Sequence, residues 1–287
     1  AKVNLSLFLG AVREDGRHRL VTVFQSLSLA DVVDAAVLPD GQRDRVSCPG
    51  VEGENLAARA LERLRERGWD GPPLVLEIVK RIPVAAGMAG GSADAAAALR
   101  LAMAVLPGRA EEVDAVAAGL GADVPSQLLP GLALGTGAGE LVERFEGLAP
   151  HAFVVVPAAV PLATADVFRE ADRLGLPRSD AELASLYERL VGVLEPGARL
   201  PAELLVNDLE PAAISLCPWC EEALAAVRAV GAEHAMVSGS GPTVVGIWWG
   251  AEASERAAAA AAELLPRHPR AVAATPVGAE YAAPALI

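Results

Sequence analysis

The chain has 287 residues, of which 53% are hydrophobic, 21% charged and only 4% aromatic. That length and apolar content support a sizeable core, built mainly from Ala, Val and Leu, and exclude wholesale disorder. The formal net charge of -13 disfavours non-specific binding to nucleic acid or to a membrane surface, so an anionic ligand would need a local pocket of donors.

Residues 3–8 alternate, with Val3, Leu5 and Leu7 on one side, and predict a strand. Arg13-Glu14-Asp15-Gly16-Arg17 predicts a turn, 20–29 a second strand, and 39–53 short strands and loops. Leu56, Ala60, Leu61 and Leu64 have helical spacing, so a helix is expected over 55–67 with Asn55 as its N-cap. Pro72-Pro73 interrupts the chain before a short apolar strand at 74–80. A glycine-rich loop follows, and Ser92 reads as the N-cap of an Ala-rich helix over 93–106 that Pro107-Gly108 ends. A helix over 110–119, a loop over 121–125 and a glycine-rich stretch over 131–139 complete the first half.

Beyond a boundary near Pro150, strands are expected at 152–156, 235–238 and 243–248. Helices are expected at 165–174, 180–193, 218–230 and 253–265, with a loop-to-helix segment over 201–211. Mixed elements without regular βαβ alternation predict an α+β fold of two domains, 1–150 and 151–287. No run of about 20 apolar residues predicts a membrane span, and no basic head with a long apolar run predicts a leader. Three cysteines, Cys48, Cys217 and Cys220, are sparse and odd in number, which fits a reducing, cytoplasmic setting.

The stretch Pro83-Val84-Ala85-Ala86-Gly87-Met88-Ala89-Gly90-Gly91-Ser92-Ala93 lies between a strand and a helix. Glycine lets backbone N–H groups approach a phosphate, and a helix N-terminus adds partial positive charge. Ser92 would place a hydroxyl beside phosphate or a Mg²⁺ ion. It is neither a Walker A sequence nor a dinucleotide fingerprint, and from spacing alone a flexible Gly/Ala linker fits as well.

Residues 83–96 closely resemble the second motif of the GHMP kinases. Three further segments agree in order. Ala1-Lys2-Val3-Asn4-Leu5 resembles the first motif, Gly121-Ala122-Asp123-Val124-Pro125 the catalytic-aspartate segment, and Ser238-Gly239-Ser240-Gly241-Pro242-Thr243 the third motif. The resemblance implies a two-domain kinase with its site in the cleft between domains, ATP and Mg²⁺ as cofactors, and a small-molecule alcohol as acceptor. Asp123 would be the general base and Lys2 its electrostatic partner, where composition alone reads a turn aspartate and a solvated lysine. Asn4, on the side of the strand that carries Lys2, would bind substrate or fix Lys2.

In one branch of the family the acceptor is a cytidine-diphosphate derivative of a sugar alcohol, and Asp-Gly-Tyr-His holds the cytosine. Asp15-Gly16-Arg17-His18 keeps the histidine and puts Arg17 at the tyrosine, where a guanidinium plane can also lie over a base. Thr164 and Phe168 match a threonine and a second aromatic of that branch, although Phe168 also fits as a helix core residue. Asn55 and Lys80 resemble its adenine-side residues, or simply a cap and a strand end. Cys217-Pro218-Trp219-Cys220 has the spacing of a redox pair or half a zinc site. Cys48, His151 and His234 are scattered in sequence, so reduced, structural cysteines are expected.

Overall fold

The computed structural model describes residues 1–84, 86–108 and 110–285. Its first strand, β1 (Lys2–Val12), pairs antiparallel with β2 (His18–Ser26), and the register slips between Asn4 and Ser6. A bulge turns the side chains beyond it onto the opposite face. Val3 and Leu5 therefore enter one core cluster, and Leu7 and Leu9 another. This corrects the expectation that Val3, Leu5 and Leu7 share a side. With cores on both faces, Lys2, Asn4 and Ser6 are buried along with their apolar neighbours.

β6 (Leu132–Thr136) and β7 (Leu141–Phe145) extend this sheet in the order β1-β2-β6-β7. The hairpin arises from the glycine-rich stretch, where glycine hides strand alternation in the sequence. Gly137 and Gly139 adopt the positive φ that its turn requires. A three-stranded sheet, β3-β5-β4, joins β3 (Val32–Val37), β4 (Arg45–Ser47) and β5 (Leu74–Val79). β3 was absent from the predicted elements, because most of it lies exposed and its Val-Asp-Ala pattern carries little alternation.

Helices α1 (Leu56–Glu66), α2 (Gly90–Val105), α3 (Ala110–Leu120) and α4 (Val124–Leu128) cover that sheet. Leu61 and Leu64 meet the alanine face of α2, where small side chains allow close helix approach, above Leu76 and Ile78. α2 begins three residues earlier than predicted. Its N-cap is Ala89, in the left-handed region at φ 54, and Ser92 lies in the first turn. The 121–125 loop likewise gives way to α4 from Val124, with Pro125 in the first turn, where its missing N–H costs nothing.

The third sheet, β11-β8-β10-β9, contains β8 (His151–Val156), β9 (His234–Val237), β10 (Val244–Trp249) and β11 (Val272–Ala274). Around it lie α5 (Thr164–Arg173), α7 (Glu210–Leu216), α8 (Trp219–Ala229) and α9 (Ala253–Leu264), while α6 (Asp180–Val191) packs on β1 and β2. Phe8 and Val23 from β1 and β2 share one core with Phe153, Leu190 and Ile247. Leu7 also exchanges backbone hydrogen bonds with Val206 and Asp208, at 2.7 and 2.9 Å. The segments before and after Pro150 are therefore packed through β1, the strand that opens the candidate site.

Candidate active site

Two residues apart on β1, Lys2 and Asn4 point the same way. Lys2 Nζ donates to Asn4 Oδ1 at 2.8 Å and lies 3.3 Å from Asp123 Oδ1. Asn4 Nδ2 in turn donates to Thr22 Oγ1 at 2.7 Å, and that hydroxyl donates to the Ser6 carbonyl. A buried ammonium is costly unless paired. Here Asn4, Asp123 and the ring of Phe24, 5.2 Å from Nζ, surround it. The Asp123 side chain is 36% exposed against 5% for Lys2, so the cation is fixed while the carboxylate opens to solvent.

The glycine loop and the third motif converge on this pair. Lys2 N donates to the Met88 carbonyl at 3.2 Å, and the Thr243 hydroxyl donates to the Ala86 carbonyl. A Cβ on Gly87 would stand 2.3 Å from the Gly241 carbonyl oxygen, so the two loops meet backbone to backbone. On the third motif, Ser238 Oγ accepts from Asn4 N at 3.3 Å, and a Cβ on Gly239 would come within 3.1 Å of Asn4 Oδ1. Ser240 and Thr164 hydroxyls are 3.0 Å apart, tying this loop to the start of α5. Pro83 is half-buried and Val84 exposed, and Ala85 lies outside the described residues.

Ala89 provides no side-chain cap for α2. The amides of Gly90, Gly91 and Ser92 fall in the first turn, where intrahelical acceptors run out, while Ala93 N is bonded to the Ala89 carbonyl. An uncapped end of a 16-residue helix, with two glycines in its first turn, suits an anion such as a nucleotide phosphate. Asn55 caps α1, its Oδ1 accepting from Ala57 N at 2.8 Å. Lys80 ion-pairs with Asp31 and, at 2.8 Å, with Asp94. Burial pushes the Asp94 carboxyl up to about 6, against the pull of Lys80. Burial opposes ionisation of Asp31 too. There Lys80 and the amides of Ile82 and Arg81 outweigh it and hold the carboxyl below its ordinary value.

His18 and Phe168, about 150 positions apart in sequence, come together with ring centroids 5.0 Å apart, and His18 Nε2 lies 2.8 Å from Asp172 Oδ1. Arg17 goes elsewhere: it grips Asp15 through Nε and Nη2 at 3.0 and 2.9 Å and lies 3.7 Å from Glu140. Reading the sequence missed Thr22, Asp31 and Asp172, which join the site only through tertiary contacts, and gave no role to Asp94 of the second motif. Asn207 was visible in Asn207-Asp208-Leu209-Glu210 but had no role. Its Nδ2 donates to the Val237 and Gly239 carbonyls at 2.8 and 2.7 Å, so it sets the third-motif loop. Cys217 and Cys220 are buried in the core beside α7 and α8, and burial pushes the Cys220 thiol up to about 12.

A fixed cation and an accessible carboxylate beside a glycine-lined anion cradle suit one class of chemistry, transfer of a phosphoryl group to a hydroxyl. The descriptions "GHMP kinases N terminal domain" and "GHMP kinases C terminal" match residues 55–131 and 184–267, and the chain belongs to the GHMP kinase family. It is 47% identical to the 4-diphosphocytidyl-2-C-methyl-D-erythritol kinase of Streptomyces coelicolor over 85% of this chain and 84% of that one. It is 41% identical to the enzyme of that name from Rhodococcus jostii, over 90% and 85% of the two chains. A crystal structure of 4-(cytidine 5'-diphospho)-2C-methyl-D-erythritol kinase superposes with a TM-score of 0.77 at 34% identity, covering 97% of each chain.

Proposed function

We infer that this protein transfers the γ-phosphoryl group of ATP to the 2-hydroxyl of 4-diphosphocytidyl-2-C-methyl-D-erythritol, in the non-mevalonate route to isoprenoid precursors. The agreement of several relatives at 41–47% identity, matched over 81–90% of the chains, supports this acceptor. The 3.3 Å Lys2–Asp123 contact beside the glycine loop is the observation that carries the chemistry.

In this reading Asp123 takes the proton of the acceptor hydroxyl as the oxygen attacks. Lys2 faces the Asp123 carboxylate and steadies the developing alkoxide. The first-turn amides of α2 and the loop 83–93 hold the triphosphate, and the Ser92 hydroxyl would sit beside Mg²⁺, which supplies charge neutralisation to the phosphates when bound. His18 and Phe168 flank the cytosine, with Thr164 and Asn4 toward the acceptor. Arg17, drawn to Asp15 and Glu140, would have to leave these carboxylates to lie over the base. On the adenine side, Asn55 offers the NH₂ of its capping amide and Lys80 its paired ammonium. The domain division falls at residue 150 in this reading, and the family matches on either side of it support that placement. A cytoplasmic location rests on the sparse cysteines. Among the described residues, no helix is long and apolar enough to cross a membrane.

A coupled ADP-release assay across a panel of alcohols tests the acceptor. Turnover is expected with the cytidine-diphosphate sugar alcohol and not with its cytidine-free counterpart, homoserine or mevalonate. Comparable turnover on homoserine or mevalonate would overturn the assignment.

A further inference from the structure

The helix that carries Asp123 is too short to hold itself. α4 has five residues, and Asp123 at its head makes no side-chain cap. Isolated helices of this length do not persist in water, and the last carbonyls of any helix lack intrahelical donors. Two arginines from distant elements supply those donors. Arg144 on β7 donates to the carbonyls of Pro125 at 2.9 Å, Ser126 at 3.0 Å and Leu129. Arg100, three turns into α2, donates to the Gln127 carbonyl at 2.5 Å.

The placement of these arginines is informative. β7 belongs to the sheet that β1 begins, and Arg144 pairs in register with Ala133 of β6, near the end of the sheet where Lys2 pairs with Ser26. One sheet therefore supplies both the cation that faces the Asp123 carboxylate and the guanidinium that grips the helix behind it. Arg100 belongs to the helix whose N-terminus would hold phosphate. Desolvation lowers both guanidinium pKa values, Arg100 to about 10. Both guanidiniums are half-buried against carbonyl oxygens. A planar fork with five donors holds several carbonyls at once in a fixed geometry, which the compact point charge of a lysine does not reproduce.

We propose that Arg144, assisted by Arg100, is a positioning residue for the phosphoryl transfer: it clamps the carbonyl end of α4 and thereby fixes Asp123 opposite Lys2. The inference rests on Asp123 being the base. Loss of the clamp lets the carboxylate drift, and a displacement of about 1 Å can cost about 10²-fold in rate.

The test is a single-turnover cycle of wild type, Arg144→Ala, Asp123→Asn and the double variant at saturating ATP and acceptor, with ATP affinity measured alongside. Arg144→Ala is expected to slow transfer by about 10- to 100-fold, with ATP affinity within threefold of wild type. In the Asp123→Asn background the same change should cost less than twofold, because there is no base left to misplace. Arg144→Lys should recover only a small part of the loss, and millimolar methylguanidinium should restore rate to Arg144→Ala without restoring its melting temperature. If Arg144→Ala does not fold, Arg144→Lys takes its place in the cycle. An equal loss in both backgrounds would show a merely structural residue and overturn the inference. So would a rate within threefold of wild type for Arg144→Ala when Asp123→Asn is slow, with the base reading left standing. A fast Asp123→Asn would instead remove the base reading itself, and the inference with it.

Discussion

At the scale of single residues the site is an exercise in unequal burial. Lys2 is enclosed and paired, while Asp123 faces outward, so the cation holds its place and the carboxylate stays open to an incoming acceptor. Asp123→Asn keeps shape and hydrogen bonding but removes the proton acceptor, and general-base loss costs about 10²–10⁴ in rate. Because a loose phosphoryl-transfer transition state leans on positioning, a fall toward the lower end is expected. Lys2→Met should also slow transfer, since it removes the charge beside both the carboxylate and the nascent alkoxide. The two losses should not add, because each side chain acts through the other. Single-turnover rates of both singles and the double check this. A double variant slowed by the product of the two losses would show that they work independently.

At the scale of elements, the start of α2 is where the proposed nucleotide phosphates would be held. Ser92 was expected to cap this helix, but the backbone turns through the left-handed Ala89 and opens the helix at Gly90. The reason is local: an Ala-rich sequence propagates helix readily, and a Ser cap would have withdrawn first-turn amides from a phosphate. A Cβ on Gly90 would meet Ile82 Cγ2 and Lys80 Nζ, both at 3.2 Å. Gly90→Val would therefore crowd the Lys80–Asp94 pair as well as the cradle. The wild-type protein should gain melting temperature with Mg-ATP, as a ligand confined to the native state requires, and Gly90→Val should lose that gain. A full thermal shift in the variant would place the nucleotide elsewhere.

At the scale of the whole molecule, the buried Asp31–Lys80–Asp94 cluster links the approach to β3, the end of β5 and the head of α2, and it makes stability depend on pH. Asp94 titrates at about 6 in the fold, above its ordinary value. Between about pH 4 and 6 the native state thus holds a proton that the unfolded chain has released. Stability from this group is fully present below that window and is lost as pH rises through it, by at most about 3 kcal/mol. Asp94→Asn removes the titration. The variant should therefore gain on the wild type as pH rises from 4.5 to 6.5, with a constant difference above that. Urea midpoints across this range decide it, and a difference that does not move with pH would show that Asp94 stays ionised throughout.

Much of this protein is legible in one dimension. Glycine spacing before an Ala-rich helix, the Lys2-x-Asn4 alternation and Asp123 in its Gly-Ala-Asp-Val-Pro setting depend on local backbone chemistry, and the helices at 55–67 and 253–265 follow from apolar periodicity that their burial obeys. Asn55 caps α1 as its residue type predicts. Other features exist only after folding. The bulge between Asn4 and Ser6 sends Leu7 to a different core, and no periodicity announces a bulge. The β6–β7 hairpin hides behind glycine, and β3 behind exposure. The partners that set the site, Thr22 for Asn4, Asp172 for His18, Asp94 and Asp31 for Lys80, and Arg144 for α4, lie 14 to 154 residues from the groups they hold. The sequence by itself singled out the candidate residues, because a motif is a matter of residue type and local spacing. Only the tertiary structure decided which of them face one another and which charges are buried, because those depend on chain segments that meet in space.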